Sequence, residues 1–575
     1  MATGNTGFSR GKISTRELEI AEVTTFEVIW CDIKHDSTGI KESTAFCKPI
    51  DIPAEFHCLG YYCQRNTSSM APTTPTPGTL IHGSLLVAKA NEITSDEAIG
   101  ETLGNIDLSI ITKQKPLERP LDYKLIWSNN MIRWNQKCSM VPFFWLPLAP
   151  EGYSPLGYVV TCTSVKPSMC EVMCVRSDLT VSCKIANELW STTTCDYYHN
   201  STNSTFSVWA MHPCSIGMHE KGIPIGTFGC LNHSCDARYI RKGYMLEDVV
   251  CLKNDSPNFT SSMPTHEQIH ALMSEYGPLY YFHPKERFFP SSVTWFFEQG
   301  ALLNTKGLEC APKVLALDGS NLPTGGLNDG NHWISLPLDG EGIKKGNLAS
   351  AKGYVQIKPM LGGIMTDLVV WIYYPFNGPS IVKLGFVNIT IGKLGEHVSD
   401  WEHITLRINN FSGRLMNVYF AQHSSGFWVD ASKVEYDHGN HVVVYASRHG
   451  HASYPHSGLV LQGNARVRIG LRDDTSRSHF SLDVGKNYEI ISAEYLDAVG
   501  CPLMEPKWLH YACEWGPKVI YKWRTQVDKL IQKFPRKLAI TLQSFISKLP
   551  RELSREQGPT GPKLKNNWIG DERVK

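Results

Sequence analysis

The sequence predicts a mainly β protein in two parts: an N-terminal repeated β-module, β-prism-like in arrangement, and a second β domain followed by a C-terminal helical segment. Three observations predict it. The first 250 residues run as short alternating segments with turn residues between them, the pattern of half-buried strands. Tryptophan, proline and glycine recur in that half at matched spacing. The second half holds strong β stretches such as Asp367 to Tyr374 (DLVVWIYY), and helical periodicity dominates only from Pro517 onward.

With 575 residues the chain is too long for one ordinary core, so two to four domains are expected. Composition shifts divide it into a flexible N-terminus (1–18), the repeated module (19–251), a linker (252–265), the second β domain (266–516), the helical segment (517–552) and an exposed tail (553–575). The chain is 42% hydrophobic and 19% charged, with a formal net charge of +1. That balance argues against nucleic acid as a partner and against a broadly cationic membrane face. No run of 18 apolar residues exists, so no transmembrane helix is expected. Residues 1–19 carry Arg10, Lys12 and Arg16 without an apolar core; no signal peptide is read there, and a cytoplasmic location is expected. Fourteen of the 17 cysteines lie between Cys31 and Cys251. Without an export signal they are expected to be reduced. The spacings Cys170-x-x-x-Cys174 with Cys183, and Cys230 with Cys235, are too loose for structural zinc.

In the first half, Val28-Ile29-Trp30 is followed by Pro53 and Leu59-Gly60-Tyr61, and Leu125-Ile126-Trp127 by Pro150 and Leu156-Gly157-Tyr158. Both tryptophans precede their glycine by 30 residues, and both prolines precede it by seven. A third, shorter unit is read at Phe206 to Trp209, Pro213 and Ile225-Gly226. Such spacing suggests sheet units packed about a pseudo-threefold axis. It serves either as a binding platform or simply as a core of aromatics and turn glycines. The stretch 67–78, rich in Ser, Thr and Pro, reads as a loop.

Lys253 to Pro264 has linker composition. His266 to Tyr276 then reads as a short helix, with Ile269, Leu272 and Met273 at helical spacing after Pro264-Thr265. An aromatic strand at Leu279 to Phe282 leads through a charged, proline-bounded turn to a helix from Val293, capped by Ser291 or Ser292. The Gly/Asn/Asp-rich loop from Asp318 to Asn331 lacks the order of an EF-hand. Further strands are read at Asp367 to Tyr374, Val418 to Gln422, Trp428 to Asp430, His441 to Tyr445 and Tyr488 to Tyr495. Pro517 to Leu549 reads as helix, broken at Pro535.

The stretch with most chemistry is Gly395 to His403 (GEHVSDWEH), continuing as Ile404-Thr405-Leu406-Arg407-Ile408. Read as a strand, it puts Asp400, Glu402, Ile404, Leu406 and Ile408 on one face. A buried carboxylate must be paired or bound to a metal. His397 can reach the same point, so a hard-ion site is one reading; pairing with arginines or backbone N–H groups is the other. Eight of the 21 histidines lie between His397 and His456.

The segments YGPLYYFHPKERFFPSSVTWFFEQGALL (276–303), DGSNLPTGGLNDGNHWISLP (318–337), GEHVSDWEHITLRI (395–408), HGHASYPHSG (449–458) and QGPTGPKLKNNWIGDE (557–572) resemble the plant vacuolar protein sorting-associated protein 62-like family, as do LPLAPEGYSPLGYVV (146–160) and VRSDLT (175–180). The resemblance runs over nearly the whole chain. It implies a role in vacuolar protein sorting or membrane trafficking and brings no catalytic activity with it.

The motif His397-x-x-Asp400-Trp401-Glu402 is in turn similar to the Gly-His-x-His-Asp-Trp-Glu heptapeptide of the necrosis- and ethylene-inducing-like proteins, β-sandwich cytolysins that bind a divalent cation and act on membrane lipids. That similarity implies a β-sandwich for 266–516 and a cation held by His397, Asp400 and Glu402. Asn377, in Pro375-Phe376-Asn377, would stand where those proteins have a further aspartate, and His449 would hydrogen-bond a metal-bound water. Ser399 replaces the middle histidine, and Glu396 intervenes after Gly395. Oxygen donors with one imidazole favour Ca, Mg or Mn. His403, His451 and His456 are expected to satisfy backbone groups.

Three functions are then open. The first is a non-enzymatic trafficking protein, cytoplasmic or peripheral on an endomembrane or the vacuole, with a lipid headgroup or trafficking proteins as partners. The second is a cation-dependent lipid or glycan binder. The third is a metal-assisted hydrolase. The absence of Gly-x-Ser-x-Gly, HExxH, P-loop and dinucleotide motifs argues against an enzyme.

Overall fold

The alternating segments of the N-terminal half form three groups of strands around one aromatic core. The computed structural model describes residues 7–36, 39–66, 76–91, 114–128, 141–192, 204–234, 243–384, 387–390, 395–423, 425–464, 469–518, 536, 539–540, 543–544 and 558–574. The first group is built on the long strand Leu18–Asp36, flanked by Gly39–Pro49 and Leu80–Ala90. The second pairs Asp122–Ser128 with Phe143–Leu148 and Val159–Thr161. The third pairs Thr180–Ser191 with Ser204–Pro213 and Met245–Lys253.

In each group one tryptophan follows directly on a slip in the strand pairing. The pairing register slips between Val28 and Trp30, between Leu125 and Trp127, and between Glu188 and Trp190. A bulge of this kind re-aims the next side chain. Trp30 and Trp127 both meet Trp190 edge-on, with ring centroids 5.5 and 5.6 Å away. Trp127 also stacks on Phe206 at 4.9 Å. The third tryptophan is therefore Trp190, where the spacing pointed to Trp209. Trp209 lies on the next strand, its indole N–H donating to Ser207 Oγ at 2.8 Å.

The paired glycines meet as well. A Cβ on Gly60 would lie 2.9 Å from Gly157 Cα, and one on Gly157 only 2.7 Å from Thr227 Cβ. Thr227, rather than Gly226, occupies the third position, and its hydroxyl donates to Leu156 O at 2.5 Å. The glycines are there because the three groups approach backbone to backbone.

The second half is built on a six-stranded sheet in the order Ser425–Asp430, Leu415–Gln422, His397–Asn409, Met365–Asn377, Gly353–Met360, Tyr488–Ser492. DLVVWIYY shows no alternation because both faces of its strand are covered. One face packs Leu368, Val370, Ile372, Ile404, Leu406 and Ile408 against a second sheet that contains Leu279–Phe282 and His441–Ala446. This is the expected sandwich. The other face packs Trp371, Tyr373 and Trp401 against Phe296, Trp508, Trp515 and Trp568. The helix His266–Tyr276 begins with a capping box: Thr265 accepts from Gln268 N–H, and the Gln268 side chain accepts from Thr265 N–H. The second helix, Val293–Glu298, is capped by Ser292.

Three segments expected to be loose are bound down. Residues 7–18 carry buried Phe8 and Ile13, and the N–H groups of Arg10 and Gly11 donate to Asn410 O and Phe411 O, each at 2.9 Å. In the linker, Phe259 and Met263 join the core of the second half, and Asn254 donates to Gly362 O at 2.7 Å. Polar composition hid these few apolar anchors. The tail lies on the sheet face that carries His403, Thr405 and Arg407. Arg407 bridges Asp367 and Asp571 at 2.8 and 2.7 Å. Lys358 donates to Asn567 O at 2.6 Å, and Met218 N–H of the first half donates to Ile569 O at 2.8 Å. That polar stripe had to find partners, because buried charges are costly alone. The segment 517–552 lies mostly outside the described residues; 536, 539–540 and 543–544 are helical. All fourteen described cysteines are free thiols. Among the described residues no helix is long and apolar enough to cross a membrane.

Candidate functional site

Strand pairing assembles the site. His397–Asn409 runs antiparallel to Met365–Asn377, so Asn377 stands directly opposite His397, Tyr374 opposite Asp400, and Ile372 opposite Glu402. Two residues 20 positions apart in sequence thus become neighbours through register alone. Asn377 is buried, and its amide N–H donates to Gly395 O at 2.7 Å. Its carbonyl oxygen Oδ1 is buried without a hydrogen-bond partner among the described residues.

His397 is half-buried. Its Nδ1 lies 2.7 Å from Ser399 O. A carbonyl can only accept, so Nδ1 carries a proton, and Nε2 is the nitrogen that could ligate an ion in the neutral ring. Ser399 adopts a left-handed backbone with φ of 56°, which turns that carbonyl toward the ring. The Ser399 hydroxyl is held by the Tyr373 hydroxyl at 2.8 Å.

Among the described residues Asp400 does not meet an arginine. Its Oδ2 lies 3.2 Å from Nδ1 of fully buried His451, whose Nε2 lies 3.0 Å from Phe288 O. The His451 ring stacks on Tyr374 with centroids 3.8 Å apart and planes within 6°. Burial would raise the Asp400 carboxyl; the His451 hydrogen bond and the neighbouring charge of His397 outweigh it and hold the carboxyl below its ordinary value. Glu402, half-buried two residues on, adds to the burial that raises the hydroxyls of Tyr280 and Tyr374. Its face is the predicted one, shared with Ile404, Leu406 and Ile408.

His449 is positioned by a turn that sequence reasoning did not connect to it. Its backbone N–H donates to Glu286 Oε2 at 2.7 Å, and its carbonyl accepts from Gly378 N–H at 2.9 Å. Glu286 is itself held by the N–H groups of Arg287 and Phe288 at 2.8 and 2.9 Å. The ring packs against Phe288. Neither ring nitrogen makes a well-formed hydrogen bond among the described residues, though the Pro379 carbonyl offers an acceptor. Burial pushes the imidazole pKa down, against the opposing Glu286 charge.

The structure therefore gathers Asn377, His397, Asp400 and His449 at one end of the six-stranded sheet. Among the described residues no three His, Cys, Asp or Glu side chains close into a ligand set. Asp400 pairs with His451 instead. The orphaned Asn377 oxygen is what a hard cation would satisfy. Of the histidines assigned to backbone groups, His451 contacts a backbone carbonyl and Asp400, whereas His403 meets Glu572 Oε2 at 3.0 Å. Exposed His456 contributes its backbone carbonyl, an acceptor for Thr475. The His449-x-His451 pair was visible in the sequence, but nothing local linked it to Asp400 or Glu286.

A family model described as vacuolar protein sorting-associated protein 62 matches residues 1–572. No curated protein matches the chain. Solved structures similar to it include GNIP1Aa from Chromobacterium piscinae, at 16% identity and a TM-score of 0.26, covering 45% of this chain and 40% of that one. Necrosis and Ethylene inducing Protein 2 from the causal agent of cocoa's Witches Broom disease is 13% identical with a TM-score of 0.18, covering 41% of this chain and 77% of that one. NLPPya in complex with glucosamine is 14% identical with a TM-score of 0.21, covering 47% and 90%. The last two belong to the group whose heptapeptide the sequence resembles; at these scores the likeness carries no argument about this site.

Proposed function

The chain belongs to the vacuolar protein sorting-associated protein 62 family, and from that premise we propose that it is a non-enzymatic component of vacuolar protein sorting or membrane trafficking that carries a weak divalent-cation site. The observation behind the sorting role is the family match over residues 1–572. On this reading the protein works in the cytoplasm or at the surface of an endomembrane or the vacuole, with trafficking proteins or a lipid headgroup as partners. A vacuolar reporter that reaches its destination normally in a null line would refute the sorting role.

The cation reading rests on the buried, unpartnered Asn377 oxygen opposite His397. Asn377, His397 and Asp400 would hold the ion, with Glu402 completing its charge and His449 hydrogen-bonding its water. A neutral amide in place of a fourth charged group weakens such a site. The ion, Ca, Mg or Mn, would supply a positive charge at the sheet end that a headgroup phosphate or hydroxyl can meet. Metal analysis and thermal shift test this. A cation bound to the native state at a hundred times its Kd adds about 2.7 kcal/mol, so Tm should rise with calcium or manganese and fall under chelator. The rise should vanish in Asp400→Ala. Equal responses in wild type and Asp400→Ala would overturn the site. Liposome flotation with and without calcium separates headgroup gripping from a protein-partner role.

A further inference from the structure

In the N-terminal half, between the end of the strand Leu80–Ala90 and the segment 115–119, far in sequence from the sheet end just described, lies a cleft of about 520 Å³. Its lining includes His57, Lys115, Leu117, Arg119, Cys170 and Met173. Leu117 is buried and Met173 half-buried, whereas His57, Lys115, Arg119 and Cys170 are exposed. The cleft thus has an apolar floor and a cationic rim.

Two features of the lining bear on what it would bind. The first is the state of its cations. Several other cations of this half are paired, Lys48 with Glu171, Lys89 with Glu19 and Glu55, Lys166 with Asp122, and Arg176 with Glu17 and Asp178. Lys115 and Arg119 have no carboxylate partner among the described residues. The one acid at the cleft, Glu118, has its Oε1 taken by the Arg119 backbone N–H at 3.1 Å. The second is rigidity. The segment that presents both cations is tied down along its length: Gln114 O accepts from Arg176 Nη1 at 2.7 Å, Lys115 O from the Tyr153 hydroxyl at 2.7 Å, and Pro116 O from Arg176 N–H at 3.0 Å. Leu117 and Glu118 then pair with Val175 and Cys174. A backbone held this way needs no further ordering on binding, so the cost is confined to the Lys115 and Arg119 side chains.

We propose that this cleft binds a small organic phosphate, a phosphomonoester whose charge is met by Lys115 and Arg119 and whose carbon skeleton rests on Leu117 and Met173. A guanidinium fork and a mobile ammonium lining one pocket suit a tetrahedral dianion. The His57 imidazole adds a third polar group at the rim. The phosphate is either free in solution or the headgroup of a phospholipid.

Cys170 supplies the readout, because its exposed thiol lines the cleft while Cys310 and Cys501 are exposed elsewhere. The full chain is alkylated in the presence of glycerol phosphate, and each thiol is followed by mass spectrometry. Saturable protection of Cys170 alone is expected. In the Lys115→Ala/Arg119→Ala double variant the half-protecting concentration should rise by about tenfold or more, with Tm unchanged; Lys115→Gln/Arg119→Gln serves if the alanine variant melts early. Sedimentation with phosphatidylcholine vesicles, with and without phosphatidic acid, distinguishes the sources. Recruitment by phosphatidic acid that glycerol phosphate competes away identifies a headgroup; protection without recruitment identifies a soluble phosphate. No saturable protection by glycerol phosphate together with no recruitment by phosphatidic acid overturns the proposal, and so does protection or recruitment that both double variants retain in full.

Discussion

Replacing Glu572 with glutamine removes one charge from the tail and leaves its shape. In the native protein this carboxylate is 7% exposed and accepts hydrogen bonds from Thr405 Oγ1 at 2.5 Å and Asn567 Nδ2 at 3.1 Å, with His403 Nε2 at 3.0 Å. Burial alone would raise its pKa. The charge and hydrogen bond of His403, the Lys358 charge and the Thr405 hydroxyl outweigh that and hold it at about 2, against an ordinary 4.5. Each pKa unit is worth about 1.4 kcal/mol, so the ionised carboxylate contributes about 3 kcal/mol of stability. Because the folded pKa is the lower one, that contribution is present in full above about pH 4.5 and disappears as pH falls toward 2. Glu572→Gln should therefore cost about 3 kcal/mol at pH 7 and progressively less below pH 4.5. At roughly 2 cal/mol/K per residue of unfolding entropy, the loss at pH 7 lowers Tm by roughly 3–6 °C, depending on whether the whole chain or only the second half melts together. Thermal melts of both proteins across pH 3–7 read this directly. A Tm difference that stays constant over that range, or that is absent at pH 7, would refute the assignment of Glu572 as a charge anchored by His403 and Lys358.

Gly157→Ala should destabilise the N-terminal half by about 1–3 kcal/mol through overpacking, since its Cβ would sit 2.7 Å from Thr227 Cβ; adding Thr227→Gly should restore part of the loss in a thermal melt. Truncation after residue 557 should lower Tm more than any single substitution here. It strips buried Lys358 of its two carbonyl acceptors and leaves Arg407 with Asp367 alone, and rapid limited proteolysis of the truncated chain checks it. His451→Ala should raise the pKa of Asp400, whose hydrogen bond it removes, and a carboxyl-selective infrared or NMR titration that shows no upward move would count against the pair. Calcium or manganese should raise the Tm of the wild type and leave that of Asp400→Ala where it was.

Much of the architecture was legible because it depends on local rules. Thr265 and Gln268 announce the helix start they form, and Ser292 announces the next. The face shared by Asp400, Glu402, Ile404, Leu406 and Ile408 follows from strand alternation. Trp30 and Trp127 stood out by their spacing. Trp190 did not, because its distance to Thr227 is 37 residues instead of 30 and a threonine fills the glycine position. The three shared bulges that aim these tryptophans inward are a property of strand pairing and leave no mark on composition.

What the sequence determined by itself is therefore the β class, the helix starts, the sandwich half, the family, and which carboxylates face the core. What only the tertiary structure decided is the partner of each charged or polar group: His451 for Asp400, Glu286 for the His449 backbone, Asn377 opposite His397, and the tail over Lys358, His403 and Arg407. The physical reason is that periodicity specifies the face a side chain occupies, whereas a buried charge is satisfied by whichever donor the fold brings within about 3 Å. For Glu572 and His403 that donor lies 169 residues away.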